Sequence, residues 1–425
     1  MEIEGYLPRL IESEICDTMK VMGAVSIEGP KACGKTWCAR RLANSEYSLV
    51  DPRNNFSNRR MATIDPLLAL EGEKPHLIDE WQDVPGIWDA VRYSVDSDSK
   101  KGKYILCGSS SADKTKMLHS GAGRISNIRM RTMSLLESGE SNGRASLSGM
   151  FDGRLETSGS KDSDVGGIAS MIVRGGWPGM LGVDPDRASL ELDRYLRSAC
   201  EIDAQRIDGR RRNVGSLMRV IRSLARNEST VASKSKIASD VKEDGSKNIA
   251  AATVDDYLDV LSRLFLTEDQ PAYSASFRSS LRVGKNPKRH FTDPSLAVAV
   301  MGIGTEGLLS DMRTMGFMFE GLCERDLRIY AQNIGGSLFH YRDYKDHEID
   351  AVVEVPGKGW GAFEIKLGSD SEDTAAEGLL RIRDLMKNNE ISELPRFLCV
   401  ITGTGGLAYR RDDDVYVVPI ISLGP

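Results

Sequence analysis

The spacing of apolar positions divides this chain into three stretches. Near the N-terminus, Gly23-Ala-Val-Ser-Ile-Glu28, His76-Leu-Ile-Asp79 and Lys103-Tyr-Ile-Leu-Cys107 are short apolar runs. Their length and punctuation predict buried strands of a parallel sheet, with a helix over roughly Trp37 to Ala43. Residues 138 to 166 are rich in Ser, Gly and charge and predict a long surface connection. Helical periodicity returns over Ala188–Ile207, with Leu190, Leu192, Leu196 and Ile202 expected roughly on one face, and again over Val214–Arg226. A short helix (Ser235–Asp240), a polar turn with Gly245, a longer helix (Ala251–Leu266), an extended segment (Thr267–Tyr273) and a strand near Arg289–Phe291 follow. From residue 338 the period drops to two. Strands are expected at Leu338–Arg342, Glu348–Val355, Gly361–Leu367, Phe397–Ile401 and Val415–Ile421, with one helix at Thr374–Lys387 and a turn marked by Gly357 and Gly359. The pattern is that of an α/β chain in three parts, residues 1–137, 138–305 and 306–425.

Composition narrows the function classes. The 425 residues are 40% hydrophobic and 28% charged, ordinary values for folded domains with cores. A net charge of −6 gives no global basic signature, so any nucleic-acid face is local. The seven cysteines form no C-x-x-C pair, and no apolar leader is evident. They read as reduced thiols, and the expected location is cytoplasmic. No run approaches the 18 or so apolar residues of a membrane span. The five histidines show no zinc spacing.

The most specific chemistry lies at Gly29-Pro-Lys-Ala-Cys-Gly-Lys-Thr36, which matches G-x-x-x-x-G-K-[ST] between a strand and a helix. Such a loop turns backbone N–H groups toward a triphosphate, and the following helix adds its positive dipole end. ATP with Mg²⁺ is therefore the expected ligand pair. The residues expected to hold the nucleotide are Gly29, Pro30, Lys31, Ala32, Cys33, Gly34, Lys35, Thr36 and Trp37. Lys35 reaches the β- and γ-phosphates and Thr36 offers a hydroxyl to Mg²⁺. Asp79 and Glu80 end the next apolar run, Asp79 suited to the metal and Glu80 to orienting and deprotonating water. Trp81 and Gln82 read as packing or helix-capping residues. Ser109, with Ser110 second, stands where a polar side chain meets the γ-phosphate or the lytic water. Arg124, after Ser120-Gly-Ala-Gly123, is either an arginine finger for a neighbouring copy, implying a homo-oligomer, or the partner of an acid. A small-molecule kinase is the competing enzyme class. Glu80 directly after Asp79 suits water activation better.

These residues resemble a group of prokaryotic AAA+ ATPases whose C-terminal region is catalogued as a domain of unknown function. Gly175-Gly-Trp-Pro178, Tyr257–Leu266 and Lys288-Arg-His-Phe-Thr-Asp293 extend the resemblance over nearly the whole chain. Trp81, Cys107 and Arg131-Thr-Met-Ser134 depart from the family's usual residues. The resemblance implies an AAA+ ATPase domain, and the expected role of its ATP turnover is to drive domain movement that controls a DNA-directed function.

The order of elements in the middle region is that of a winged helix. Its second helix opens on Ala251, Ala252 and Thr253, followed by Asp255 and Asp256, which would repel phosphate. Arg278, Arg282, Lys285, Lys288 and Arg289 would form a basic wing. The two readings are a DNA contact and a protein-binding or lid module. In the last stretch, alternation places Glu364 and Lys366 on one strand face, and pairing across the turn brings Asp350 beside them. Two carboxylates of this kind suit Mg²⁺ or Mn²⁺, and the lysine suits water activation. The set resembles the PD-(D/E)xK restriction-endonuclease-like fold, and Glu320 matches the acid on that fold's first helix. The implied metal ligands are Glu320, Asp350 and Glu364, with Asp350, Glu364 and Lys366 catalytic and His347 and Glu348 flanking. The alternative is a regulator or protein-binding switch that retains the fold without cleaving.

Overall fold

In the computed structural model the described residues are 5–98, 100–109, 117–243, 250–274, 286–343, 345, 347–388 and 393–425. The chain forms two compact units. One comprises the residues up to Thr132 with Glu201–Arg212 and Val260–Phe265, and the other comprises the remainder.

The first unit is built on five parallel strands: β1 (Ala24–Glu28), β2 (Ser45–Ser48), β3 (His76–Asp79), β4 (Tyr104–Gly108) and β5 (Ile125–Arg129). Their order is β2-β3-β4-β1-β5. Successive residues of each strand face opposite sides, so the apolar runs feed two cores. Val25, Ile27, Leu77, Ile105, Cys107 and Ile128 pack with Ile15, Cys38 and Ala39 from the helices Ile11–Val21 and Lys35–Leu42. Ala24, Ile78, Tyr104, Leu106 and Ile125 pack with Trp81, Trp88 and Val91 on the other side. Burial of both faces explains why the strands read as continuous apolar runs rather than alternating ones. Each fully buried aliphatic side chain contributes about 1.5–3 kcal/mol relative to exposure. β2 and β5 escape sequence reading because β2 is only half-buried and β5 is interrupted by Ser126 and Asn127.

The second unit holds a seven-stranded sheet in the order β7-β12-β13-β11-β10-β9-β8. Its strands are β7 (Ser158–Ser163), β8 (Ser337–Arg342), β9 (Glu348–Val355), β10 (Gly359–Lys366), β11 (Phe397–Thr402), β12 (Gly405–Arg410) and β13 (Val415–Pro419). β10, β11 and β13 run parallel, and the other pairings are antiparallel. The β9–β10 turn carries Gly357 and Gly359 at φ 77° and 86°, conformations that disfavour a Cβ. The helix Glu372–Asn388 buries Ala375, Ala376, Leu379, Ile382 and Met386 against Trp360, Ala362, Leu398, Val400, Val415 and Val417. The helix Met312–Asn333 lies against β8, β9 and β10.

Three expectations change. Residues 138–166 are not simply a surface connection. Ala145–Ser146 (β6) pairs with Leu423–Gly424 (β14), and β7 pairs with β12. Between them a short helix buries Leu147, Met150 and Phe151, the apolar residues of an otherwise polar segment. The polar edge strand β7 and its glycine-led neighbour β12 carry no alternating signal. In the helix Pro185–Ser198, Ala188, Leu192 and Leu196 are buried while Leu190 is exposed, and Ile202, in the wider turn Ala199–Asp203 that follows, is exposed too. At 100° per residue Leu190 lies well off the Leu192–Leu196 stripe. The middle region contains the helices Val214–Arg226, Lys234–Glu243 and Ala251–Arg263 with bridges Thr230–Arg289, Thr267–Phe291 and Gln270–Lys288. Of the expected basic wing, Arg278, Arg282 and Lys285 lie outside the described residues. Lys288 and Arg289 are 2% and 5% exposed, and Arg289 bonds the Ala232 carbonyl and Asp269. These two cations are consumed inside the protein and are not a DNA face.

No helix among the described residues is long and apolar enough to cross a membrane. The seven cysteines are free.

Candidate functional site

The loop Gly29–Gly34 leaves the carboxyl end of β1, and β3 and β4 deliver Asp79-Glu80 and Ser109 to the same edge, where open α/β sheets bind ligands. Gly34 sits at φ 103° and opens the helix Lys35–Leu42. Gly29 has a different reason to be glycine. A Cβ there would lie 2.1 Å from the Met130 carbonyl oxygen. The close approach is fixed because Met130 N–H donates to the Glu28 carbonyl at 2.8 Å.

Lys35 is buried, and its ammonium donates to the Gly29 and Pro30 carbonyls at 2.9 and 2.7 Å. The Thr36 hydroxyl donates to Asp79 Oδ1 at 2.9 Å. Burial pushes the Asp79 carboxyl up to about 6. The Glu80 charge adds to this, and the Thr36 hydrogen bond opposes it. Glu80 holds a left-handed backbone (φ 56°, ψ 40°), an uncommon conformation for a non-glycine residue. Its carboxylate accepts from Ser109 Oγ at 3.3 Å and from the Gln82 amide. Ser109 and Gln82 therefore orient Glu80, whereas the sequence suggests a phosphate or water contact for Ser109 and packing for Gln82. Trp81 is the packing residue, 4.9 Å from Trp88 between ring centroids.

Other expected residues are placed as follows. Cys33 is buried behind the loop, and Trp37 is exposed on the helix after it. Lys31 pairs with Asp203 at 2.6 Å. Arg124 is half-exposed and pairs with Asp96 at 2.7 Å, holding that carboxyl below its ordinary range. Ser110 lies outside the described residues. Sequence reading misses Arg9, which is 6% exposed and donates to the carbonyls of Cys33, Arg131 and Thr132, tying the P-loop to the segment after β5. It misses Asp203 for the same reason: each has a partner more than a hundred residues away, Arg131 and Thr132 for Arg9 and Lys31 for Asp203.

The second polar cluster is in the other unit. Asp350 on β9 accepts from Ile365 N–H at 2.8 Å, so hairpin pairing brings it beside Glu364 and Lys366 as expected. Lys366 donates to Glu364 at 2.8 Å. Glu320 joins from the helix Met312–Asn333. The arrangement differs from the expected metal set in one respect: Lys288 is in the middle of it. Its ammonium lies 2.7 Å from Glu320, 2.7 Å from Glu348 and 3.5 Å from Asp350. Burial pushes Glu320 up to about 8 and Glu364 up to about 7, with the Asp350 charge adding in both. For Lys288 the carboxylates outweigh burial and hold its pKa above the ordinary lysine range. Among the described residues no three His, Cys, Asp or Glu side chains are arranged to hold a metal ion. His347 is held off the cluster by Asp343 at 2.8 Å.

The remaining family-like motifs meet in the interior. Arg325 donates to Asp293 at 3.0 Å and to Asp326 at 2.8 and 2.9 Å. Gly176 N–H donates to Asp293, and Leu135 N–H to Asp326. Trp177 Nε1 donates to Ser295. The Gly175–Pro178 element and the Asp293 turn thus serve a buried ion network.

Residues 22–138 match the family of AAA domains. The N-terminal region carries an AAA-type P-loop domain. This AAA domain holds the Gly29–Thr36 loop, Asp79, Glu80 and Ser109, and its family supports ATP binding and hydrolysis. Residues 167–307 and 315–423 match two domains of unknown function, DUF8612 and DUF4143. Uncharacterized proteins of Mycobacterium bovis and Mycobacterium tuberculosis are each 26% identical over 349 residues, covering 80% of this chain and 70% of theirs. The Walker-type ATPase PABY2304 of Pyrococcus abyssi superposes with a TM-score of 0.42 at 14% identity, over 70% of this chain and 96% of that one. That likeness is too loose to inform the fold.

Proposed function

We propose that this chain is a cytoplasmic ATP-driven switch. Glu80 orients and deprotonates a water for in-line attack on the γ-phosphate, and turnover repositions a C-terminal domain that binds without cleaving. The observation that carries the ATPase half is the support of Glu80. Its carboxylate is fixed by Ser109 and Gln82 at the strand end next to the Thr36–Asp79 pair. Preorganisation of that kind suits a water-activating base. Lys35 leaves the loop carbonyls it now bonds and stabilises the charge on the phosphates. Thr36 and Asp79 are hard oxygen donors that fit the Mg²⁺ arriving with the nucleotide, which would neutralise phosphate charge. The test is phosphate release by the wild type and by Glu80→Gln. The variant should bind ATP with similar affinity and lose roughly 100- to 10,000-fold in rate. Equal rates, or transfer of phosphate to an acceptor, would sink this assignment.

For the C-terminal half, Lys288 among the acids supports the non-cleaving reading over a nuclease. A DNA-directed module is the second reading, favoured by the three helices and closing bridges that follow winged-helix order. Mobility-shift titrations with duplex DNA under ATP and ADP separate the two. Retardation that falls steeply with salt supports DNA, and its absence supports a protein partner. Arg124 as a finger toward a second copy is a further part of the proposal, supported by its half-exposed guanidinium just before β5. It requires release from Asp96, a turnover per site that rises with protein concentration, and loss of that rise in Arg124→Ala.

A further inference from the structure

The acid cluster of the C-terminal sheet raises a question of charge. Glu320, Glu348, Asp350 and Glu364 come from a helix and two adjacent strands, and all are at least partly withdrawn from water. Four carboxylates at such distances repel one another unless a cation stands between them. Restriction-endonuclease-like chemistry would use a divalent ion there. The structure has Lys288 instead, 2% exposed, with its ammonium within 3.5 Å of three carboxylates.

Three features make this more than a chance approach. An ammonium has three donors and no acceptor, and here it meets three acids. The distances of 2.7, 2.7 and 3.5 Å are those of N–H···O bonds and a looser ion contact. Mg²⁺ demands about 2.0–2.1 Å to each oxygen, so the same carboxylates would have to close in by well over half an ångström. The backbone that carries the lysine is fixed as well. Its N–H donates to the Gln270 carbonyl at 3.0 Å and its carbonyl accepts from Gln270 N–H at 2.9 Å. The Gln270 side chain in turn donates to the backbone carbonyls of Phe339 and Asp350 at 2.8 and 3.2 Å. One residue thus pins the lysine backbone and the strand that carries the acid. Lys366, the residue suited to activating water, leans on Glu364 at 2.8 Å.

We infer that the Lys288 ammonium stands in place of a metal ion in this cluster, so that the wild-type domain takes up no divalent cation there. A neutral side chain at 288 removes the ammonium that contacts Glu320, Glu348 and Asp350 together. What remains is three acidic side chains around the vacated ammonium position, which Mg²⁺ or Mn²⁺ can fill once the carboxylates close in. This deepens the non-cleaving reading of the C-terminal domain and is independent of the ATPase assignment, because the two are read by different signals.

The experiment is Mn²⁺ uptake by the full-length, nucleotide-free protein, followed by the loss of the free-Mn²⁺ electron paramagnetic resonance signal. Wild type and Asp350→Asn should take up the same amount. Lys288→Met should gain one Mn²⁺ per chain, and Lys288→Met with Asp350→Asn should lose that gain. A Mn²⁺ equivalent bound by wild type and removed by Asp350→Asn would overturn the inference. So would a folded Lys288→Met chain that gains nothing. Should Lys288→Met or Asp350→Asn fail to fold, wild type is compared with Glu348→Gln, at a partly exposed position. Equal uptake by those two supports the inference, and a Mn²⁺ equivalent lost in Glu348→Gln overturns it.

Discussion

Gly29→Ala is the sharpest test of how the P-loop is built. The expected reason for a glycine in such a loop is a backbone that L side chains avoid, yet Gly34 is the one at φ 103°. At Gly29 the obstacle is contact. The added Cβ would sit 2.1 Å from the Met130 oxygen and 3.1 Å from its carbonyl carbon, where real Cβ atoms stay beyond 3.0 Å. The gap must open by nearly 1 Å, and neither side is a flexible side-chain end. Met130 is hydrogen-bonded to Glu28, the residue before Gly29, and β1 and β5 are in register up to Glu28 and Arg129. Opening the gap therefore disturbs the last rung of that pairing or displaces the loop. Forced overpacking of this kind costs about 1–3 kcal/mol. A displacement of about 1 Å in a positioning element costs on the order of 100-fold in rate. Thermal unfolding and ATP hydrolysis of the variant are the assays. A Gly29→Ala protein with wild-type melting temperature and wild-type turnover would refute the contact argument.

Buried groups supply two more tests. Arg325→Met leaves Asp293 and Asp326 facing one another without their cation, and removal of one partner from a buried pair costs about 3–5 kcal/mol. Urea unfolding should show a loss of that size, and a loss below about 1 kcal/mol would mean the network contributes little. His76 is buried between Ser45 and the Ala69 carbonyl, and burial lowers its pKa from 6.5 to about 4, with Lys74 adding to the shift. The native state therefore resists a proton that the unfolded state accepts. Stability is full above pH 6.5 and is lost as pH falls toward 4. By pH 4.5 the cost is about 2–3 kcal/mol. Unfolding followed by the fluorescence of the Trp81–Trp88 pair should show a smaller pH 7-to-4.5 loss in His76→Gln than in wild type, and equal losses would remove His76 as the cause.

What is legible in the sequence is what short spacing dictates. The P-loop can be read because eight consecutive residues make it. The approach of Asp350 to Glu364 and Lys366 can be read because period-two alternation and a glycine turn fix a hairpin register, which the pairing of Ala351 with Phe363 matches. Lys288 reads in sequence as part of a basic wing. Charge alone does not say whether a lysine faces water or three acids 32 to 62 residues further on. Arg9 and Asp203 are the same case, each defined by a partner distant in sequence. β7, a polar edge strand, and its glycine-rich neighbour β12 escape notice because such residues carry no hydrophobic period, and their pairing is set by the sheet they join.

The central claim is that Gly29–Thr36 binds ATP and that the bound ATP is hydrolysed. The most direct measurement is phosphate release by wild type and Lys35→Ala, with ATP binding measured on the same samples. Lys35 supplies the ammonium that bonds the loop's own carbonyls and can exchange them for phosphate oxygens. The account predicts steady phosphate release by wild type, with weakened ATP binding and no measurable hydrolysis in the variant. Unchanged hydrolysis in Lys35→Ala would contradict it.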